Sequence, residues 1–168
     1  MYRLLQGDVG SGKTIIALLS MVTVVKSGFQ TTLMVPTEVL ANQHYQYFTK
    51  LLRSHKIKIA LLTGKTNKKD KKIIYDQLIN KEIDILIGTQ SLFNKNLVFA
   101  DLGLIVIDEQ HKFGVNQRLD LQNKSHDSNI LIMSATPIPR SLTFAIYGEI
   151  NISMIKDKPT NRKPITTN

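Results

Sequence analysis

Within the first fourteen residues, Gly7-Asp8-Val9-Gly10-Ser11-Gly12-Lys13-Thr14 sets three glycines, a lysine and two hydroxyls at the spacing G-x-x-x-x-G-K-[ST]. Each residue type has a mechanical reason. Glycine reaches backbone angles closed to other residues, so successive N–H groups can converge on phosphate oxygens. A helix starting directly after the loop adds the partial positive charge of its N-terminus. Lys13 is expected to reach the β- and γ-phosphates of a nucleotide, and the Thr14 hydroxyl to ligate Mg²⁺. Gly7, Gly10, Ser11, Gly12, Lys13 and Thr14 therefore form a candidate nucleoside triphosphate site.

A second group of residues ends an apolar run, Leu104-Ile105-Val106-Ile107-Asp108-Glu109. The end of a buried strand is where a carboxylate can stay solvated while standing beside the phosphate loop. Asp108 suits the Mg²⁺ shell, through water. Glu109 suits accepting a proton from the water that attacks the γ-phosphate. His111 follows shortly and is expected at the γ-phosphate, relaying nucleotide state.

These groups need a scaffold, and apolar runs alternating with helical periods supply one. Residues 3–6 read as a buried strand before the Gly-rich turn, and 14–26 as an apolar helix unbroken by Pro. Residues 32–35 form a β-rich run ended by Pro36. A second helix follows Pro36-Thr37, with Leu40, Tyr47, Phe48, Leu51 and Leu52 expected along one face. Residues 57–62, 83–87, 104–107 and 130–133 are further strands. Apart from Lys58 and Asp84 each is a continuous apolar run, as expected when helices cover both sheet faces. Pro139 fits the first turn of a helix carrying Leu142, Ala145 and Ile146. The fold class is α/β with a mainly parallel sheet flanked by helices on both faces. A domain over 1–150 and a linker over 151–168 are expected.

The chain has 168 residues and a formal net charge of +9. Cys is absent, which excludes disulfides and thiolate metal sites. No apolar run approaches the ~20 residues that span a bilayer. A soluble, cytoplasmic protein with no membrane partner is expected. Nine Lys and Arg and one acid, Asp70, lie between Lys50 and Lys72, and four more basic residues with Asp157 lie between Lys156 and Lys163. Lys68-Lys69-Asp70-Lys71-Lys72 introduces Ile73, Ile74 and Leu78, which share a helical face. Such a run reads either as a solvated helix start or as a contact to a phosphate backbone. The basic excess as a whole fits a polyanionic partner or a Lys-rich coding bias.

Asp108-Glu109-Gln110-His111 and Ser134-Ala135-Thr136 together resemble the first motor domain of superfamily 2 helicases. The likeness is closer to the RecG family of bacterial branched-DNA helicases. It is carried also by residues 35–41 with Gln43-His44, and by 61–64, 87–92, 108–115 and 134–140. The resemblance implies a RecA-like P-loop NTPase fold, ATP and Mg²⁺ as cofactors, and DNA, branched or duplex, as partner. Pro36-Thr37, Thr63-Gly64 and Gly88-Thr89 match segments that track a strand through its phosphates, which gives affinity without base specificity. Gln110, Ser134 and Thr136 match segments that couple the nucleotide site to the nucleic-acid face. The lysines at 68–72 follow Thr63-Gly64 and are expected to flank the same path.

Members of that family also carry an N-terminal wedge domain and a second motor domain supplying an arginine finger. Neither is expected here, so the chain is read as one half of a composite ATPase site, weakly active or inactive alone. Two alternatives stay open. One is the motor of a transcription-repair coupling factor; the other is a non-catalytic segment that binds nucleotide or DNA.

Overall fold

A computed structural model of the chain describes residues 1–109, 128–136 and 150–156. It opens with β1 (Tyr2–Gly7), α1 (Lys13–Lys26), β2 (Gln30–Met34), α2 (Glu38–Leu51) and β3 (Ile59–Leu62). It continues with α3 (Lys68–Ile79), β4 (Ile85–Gly88), a 3₁₀ turn (Gln90–Phe93), β5 (Leu102–Asp108), β6 (Asn129–Ser134) and β7 (Asn151–Ile155). The seven strands form one sheet in the order β3-β4-β2-β5-β6-β1-β7. Every neighbouring pair is parallel. All strand C-termini therefore lie along one edge of the sheet.

Alternate side chains explain why the central strands are apolar throughout. Leu5, Leu33, Val35, Ile85, Ile87, Val106 and Met133 pack with Ala17, Leu18 and Met21 of α1 and with Ala41 and Phe48 of α2. Their sequence neighbours Leu4, Met34, Leu86, Ile105, Ile107 and Ile132 pack on the other face with Leu78 of α3 and Leu92 of the 3₁₀ turn. Helices thus cover both faces, as two-sided burial requires. One buried polar side chain ties elements together away from the site. Gln30 Nε2 donates to the carbonyls of Leu78 (2.9 Å) and Ile83 (2.8 Å), and its Oε1 accepts from the Asp101 amide at 3.2 Å.

The structure differs from the sequence reading in three places. The linker expected from 151 is a strand over its first five residues, β7, which pairs with β1 from Arg3↔Asn151 to Gly7↔Ile155. Asn151 and Ser153 interrupt its apolar pattern because β7 is an edge strand, only partly covered. On α2, Tyr47 and Leu51 are exposed, and Ala41 joins Phe48 in the core. On α3, Leu78 is buried but Ile73 is exposed, with Ile74 partly buried. The helix expected from Pro139 and the segment 157–168 lie outside the described residues. Among the described residues no helix is long and apolar enough to cross a membrane.

The basic stretch from Lys50 to Lys72 is divided by the fold. α2 starts at the C-terminal edge of the sheet and β3 returns to it. Lys50, Arg53, Lys56 and Lys58 therefore lie towards the opposite edge, while Lys65, Lys68, Lys69, Lys71 and Lys72 lie at the C-terminal one. β3, four residues long, runs between the two groups, about 13 Å at roughly 3.3 Å per residue.

Candidate nucleotide site and nucleic-acid edge

The loop from Gly7 to Gly12 joins the end of β1 to the start of α1. Gly10 has φ 81° and Gly12 φ 92°, a left-handed region that costs other residues about 1–2 kcal/mol. Gly7 is required for a different reason. A Cβ there would lie 2.5 Å from Ser11 Oγ and 3.1 Å from Ile155 Cβ. The Ser11 hydroxyl fills the space beside Gly7, buried and without a hydrogen-bond partner. α1 has Gly12 as its N-cap, no side-chain cap bond and no acidic residue in its first turn. Its leading N–H groups are thus unanswered by any side chain, the arrangement that accepts an anion.

Lys13 Nζ lies across this loop, donating to the Gly7 carbonyl at 2.7 Å and the Asp8 carbonyl at 2.8 Å. An ammonium carries three donors, so one remains to turn outward. Lys13 and Thr14 open into a cleft of about 550 Å³ that also exposes Asp108, His44 and Tyr47. Asp108 ends β5, and its neighbour on β6 is Met133. His44 Nε2 stands 3.5 Å from Asp108 Oδ2, both side chains largely buried. The His44 ring makes an edge contact with Phe48, centroids 5.8 Å apart.

Beyond Asp108 the strand stops sharply. Glu109 has φ 51°, rare for a residue with a side chain, and its amide donates to the Met133 carbonyl at 3.2 Å. That turn takes Glu109 out of the alternation of β5. Among the described residues no group of three or more His, Cys, Asp or Glu is gathered to hold a metal. The hydroxyl of Thr14 and carboxylate of Asp108 form a hard oxygen donor pair, which fits Mg²⁺ held jointly with phosphates.

The six residues expected on the strand path meet at one place. Pro36-Thr37, Thr63-Gly64 and Gly88-Thr89 follow β2, β3 and β4, adjacent strands in the sheet. Side chains and backbone lock these turns together. Thr37 Oγ1 accepts from the Leu40 amide at 3.3 Å and caps α2. Glu38 Oε1 accepts from the Lys65 amide at 3.1 Å, and Oε2 lies 3.2 Å from Lys65 Nζ. Lys65, chiefly through its side chain, holds the Glu38 carboxyl below its ordinary pKa. Gly88 leaves no room for a side chain: a Cβ would stand 2.5 Å from the Leu62 carbonyl. That carbonyl accepts from the Thr89 amide at 3.3 Å.

Ser134 ends β6 beside Gln6 of β1, next to the phosphate loop. Its hydroxyl donates to the Thr136 carbonyl at 3.0 Å and lies 3.2 Å from Thr136 Oγ1. Among the described residues these hydroxyls close a local turn. A backbone bond from the Glu109 amide to the Met133 carbonyl ties β6 to the acidic strand end. Gln110 and His111 lie outside the described residues. Sequence reasoning gave His44 no role. The signal available was its position two turns after the Thr37 cap, on the helix that starts at the strand path.

A three-layer parallel α/β sheet with a glycine-and-lysine phosphate loop at the end of β1 and carboxylates at the end of β5 defines a nucleotide-binding motor domain of the RecA type. Residues 3–144 match the DEAD/DEAH box helicase family, and the chain belongs to it. Among relatives, it is 49% identical over 167 residues to the ATP-dependent DNA helicase RecG of Staphylococcus aureus strain MRSA252, covering 99% of this chain. The chain spans 24% of the length of that relative. A structure of RecG bound to a three-way DNA junction superposes with a TM-score of 0.82 at 44% identity, covering 98% of this chain and 22% of the other. The Hef helicase domain of Pyrococcus furiosus shares the fold, with a TM-score of 0.71 at 19% identity over 93% of this chain and 35% of the other.

Proposed function

We propose that this chain is the ATP-binding motor domain of a DNA helicase that translocates on and remodels branched DNA, such as stalled forks and Holliday junctions, in recombination and repair. The observation that carries the nucleotide half is the open N-terminus of α1, with the Lys13 ammonium and the Asp108 carboxylate on one cleft. The likeness to RecG, including its complex with a three-way junction, supports branched DNA as substrate.

In this reading Gly7, Gly10, Ser11 and Gly12 shape the cradle, and Lys13 and the first amides of α1 hold the phosphates. The buried Ser11 hydroxyl gains a partner there. Thr14 and Asp108 hold Mg²⁺, which when bound draws charge from the transferring phosphoryl group. Glu109 takes the proton of the attacking water, with His111 near the γ-phosphate and Gln110 acting in the coupling. Ser134 and Thr136 couple this site to the strand path. Pro36, Thr37, Thr63, Gly64, Gly88 and Thr89 hold a DNA strand by its phosphates, and a wedge domain and second motor domain complete the machine.

Equilibrium titration with a fluorescent ATP analogue and Mg²⁺ tests the nucleotide half. The chain is expected to bind and Lys13→Ala to lose about a hundredfold in affinity, since charge-assisted hydrogen bonds contribute ~1.5–3 kcal/mol each. Equal binding by the two proteins overturns the assignment. For the DNA half, a forked DNA is expected to bind more weakly as salt rises; salt-independent binding removes the phosphate path.

A further inference from the structure

α2 touches both halves of the site, and the contact at the nucleotide end is His44. Its Nε2 lies 3.5 Å from Asp108 Oδ2, with side-chain exposures of 11% and 15%. The ring is braced from behind by Phe48, which is fully buried. An imidazole fixed on one side and facing a carboxylate on the other narrows the orientations open to that carboxylate. At the other end of the same helix, Thr37 caps the first turn and Glu38 grips the loop after Thr63-Gly64 through Lys65. The span from Thr37 to His44 is two helical turns, about 10 Å. No loop or glycine interrupts it. Movement of the strand-path turns therefore displaces His44 with them.

We infer that His44 is a positioning residue: it orients Asp108 for the divalent cation and transmits the state of the strand-path turns, through α2, to the nucleotide cleft. The inference rests on the nucleotide reading given above. It assigns a function to a residue that belongs neither to the phosphate loop nor to the acidic strand end.

The test is the gain in affinity for N-methylanthraniloyl ATP when Mg²⁺ replaces EDTA, measured for the wild type, His44→Ala, His44→Gln and Lys13→Ala. Outer partners of metal ligands are worth roughly tenfold or more in metal affinity. His44→Ala is expected to lose roughly tenfold more affinity in Mg²⁺ than in EDTA. His44→Gln, whose amide nitrogen can reach the same carboxylate oxygen, is expected to recover most of it. Adding a forked DNA is expected to change the Mg²⁺-dependent affinity of the wild type and of His44→Gln, but not of His44→Ala. Thermal unfolding of each variant confirms that it is folded.

A loss that is equal with and without Mg²⁺ overturns the inference, because cleft packing alone would produce it. So does an alanine variant that keeps the gain, a glutamine variant that fails to recover it, or a wild type indifferent to DNA. If the wild type and Lys13→Ala bind equally, the nucleotide reading falls and the inference with it. If Lys13→Ala alone is impaired, the reading stands and the role of His44 is rejected.

Discussion

Three helices begin at the same edge of the sheet, and their first turns are finished in opposite ways. α2 is capped by Thr37 and carries Glu38 in its first turn; α3 is capped by Asn67, whose Oδ1 accepts from the Asp70 amide at 2.8 Å. Both supply their own acceptor and their own negative charge to the positive end of the helix. α1 supplies neither. Two helix ends are completed by sequence and one is left open. In the proposed reading the half of the edge at β1, β5 and β6 takes a concentrated negative charge, and the half at β2, β3 and β4 offers firm turns for a backbone to lie across.

The comparison breaks most severely if α1 is given what its neighbours have. Gly12→Asp adds a carboxylate at the N-cap, beside an incoming phosphate. Like charges about 4 Å apart repel by ~4 kcal/mol at an effective dielectric constant of about 20. Titration should show ATP-analogue affinity down by more than about a hundredfold; an unchanged value would mean that the open end is not where the anion sits.

The lysines sharpen the contrast between the two ends of the basic stretch. Charge reversal of Lys68, Lys69, Lys71 and Lys72 to Glu should flatten the salt dependence of forked-DNA binding by ~0.9 in log–log slope for each duplex phosphate no longer neutralised. The same reversal at Lys50, Arg53, Lys56 and Lys58 should leave that slope alone. If the two sets behave alike, the division of the patch by the fold has no bearing on DNA.

A smaller effect is expected from the capped end. Asn67→Ala should cost ~1 kcal/mol, lowering the melting temperature by about 2–4 °C, with ATP-analogue affinity unmoved. A drop in affinity matching that of the loop variants would erase the distinction between the two kinds of helix end.

The smallest effect belongs to Glu38. Lys65 holds its carboxyl below the ordinary value, so the folded state binds this proton less readily than the unfolded one. The stabilisation is therefore complete at neutral pH and fades as pH falls through and below the ordinary carboxylate range. Urea unfolding across that range should show a slightly shallower acid loss for Glu38→Gln than for the wild type. Parallel curves would show that the tie between α2 and the Gly64 loop carries no weight.

Local chemistry was the most legible part of the sequence. The phosphate loop is a run of neighbours whose glycines state their backbone angles, and Gly10 and Gly12 adopt the left-handed values such a loop needs. The two-sided burial of β5 and β6 was legible from their unbroken apolar runs. β7 was not, because Asn151 and Ser153 remove the periodic signal and the strand is specified by backbone pairing to β1 rather than by its side chains. The His44–Asp108 contact joins residues far apart in the chain, and no local pattern encodes it. The division of the lysine stretch was hidden for a related reason: neighbours in sequence are separated once α2 runs to the far edge and β3 comes back.

The position of β1 has a consequence for the timing of folding. Among the described residues its strand neighbours are β6 and β7 alone. The first of the seven strands thus has no hydrogen-bonded neighbour until the last two exist. Closing so long a stretch of chain is entropically slow, and contacts of this separation delay folding more than local ones do. Residues 2–7 must wait with both edges unpaired while the β2–β5 half assembles. When β7 docks, Ile155 pairs with Gly7, and the phosphate loop acquires its wall. In the proposed reading nucleotide binding marks the arrival of β7, and a chain cut before residue 151 would leave β1 as an open, aggregation-prone edge.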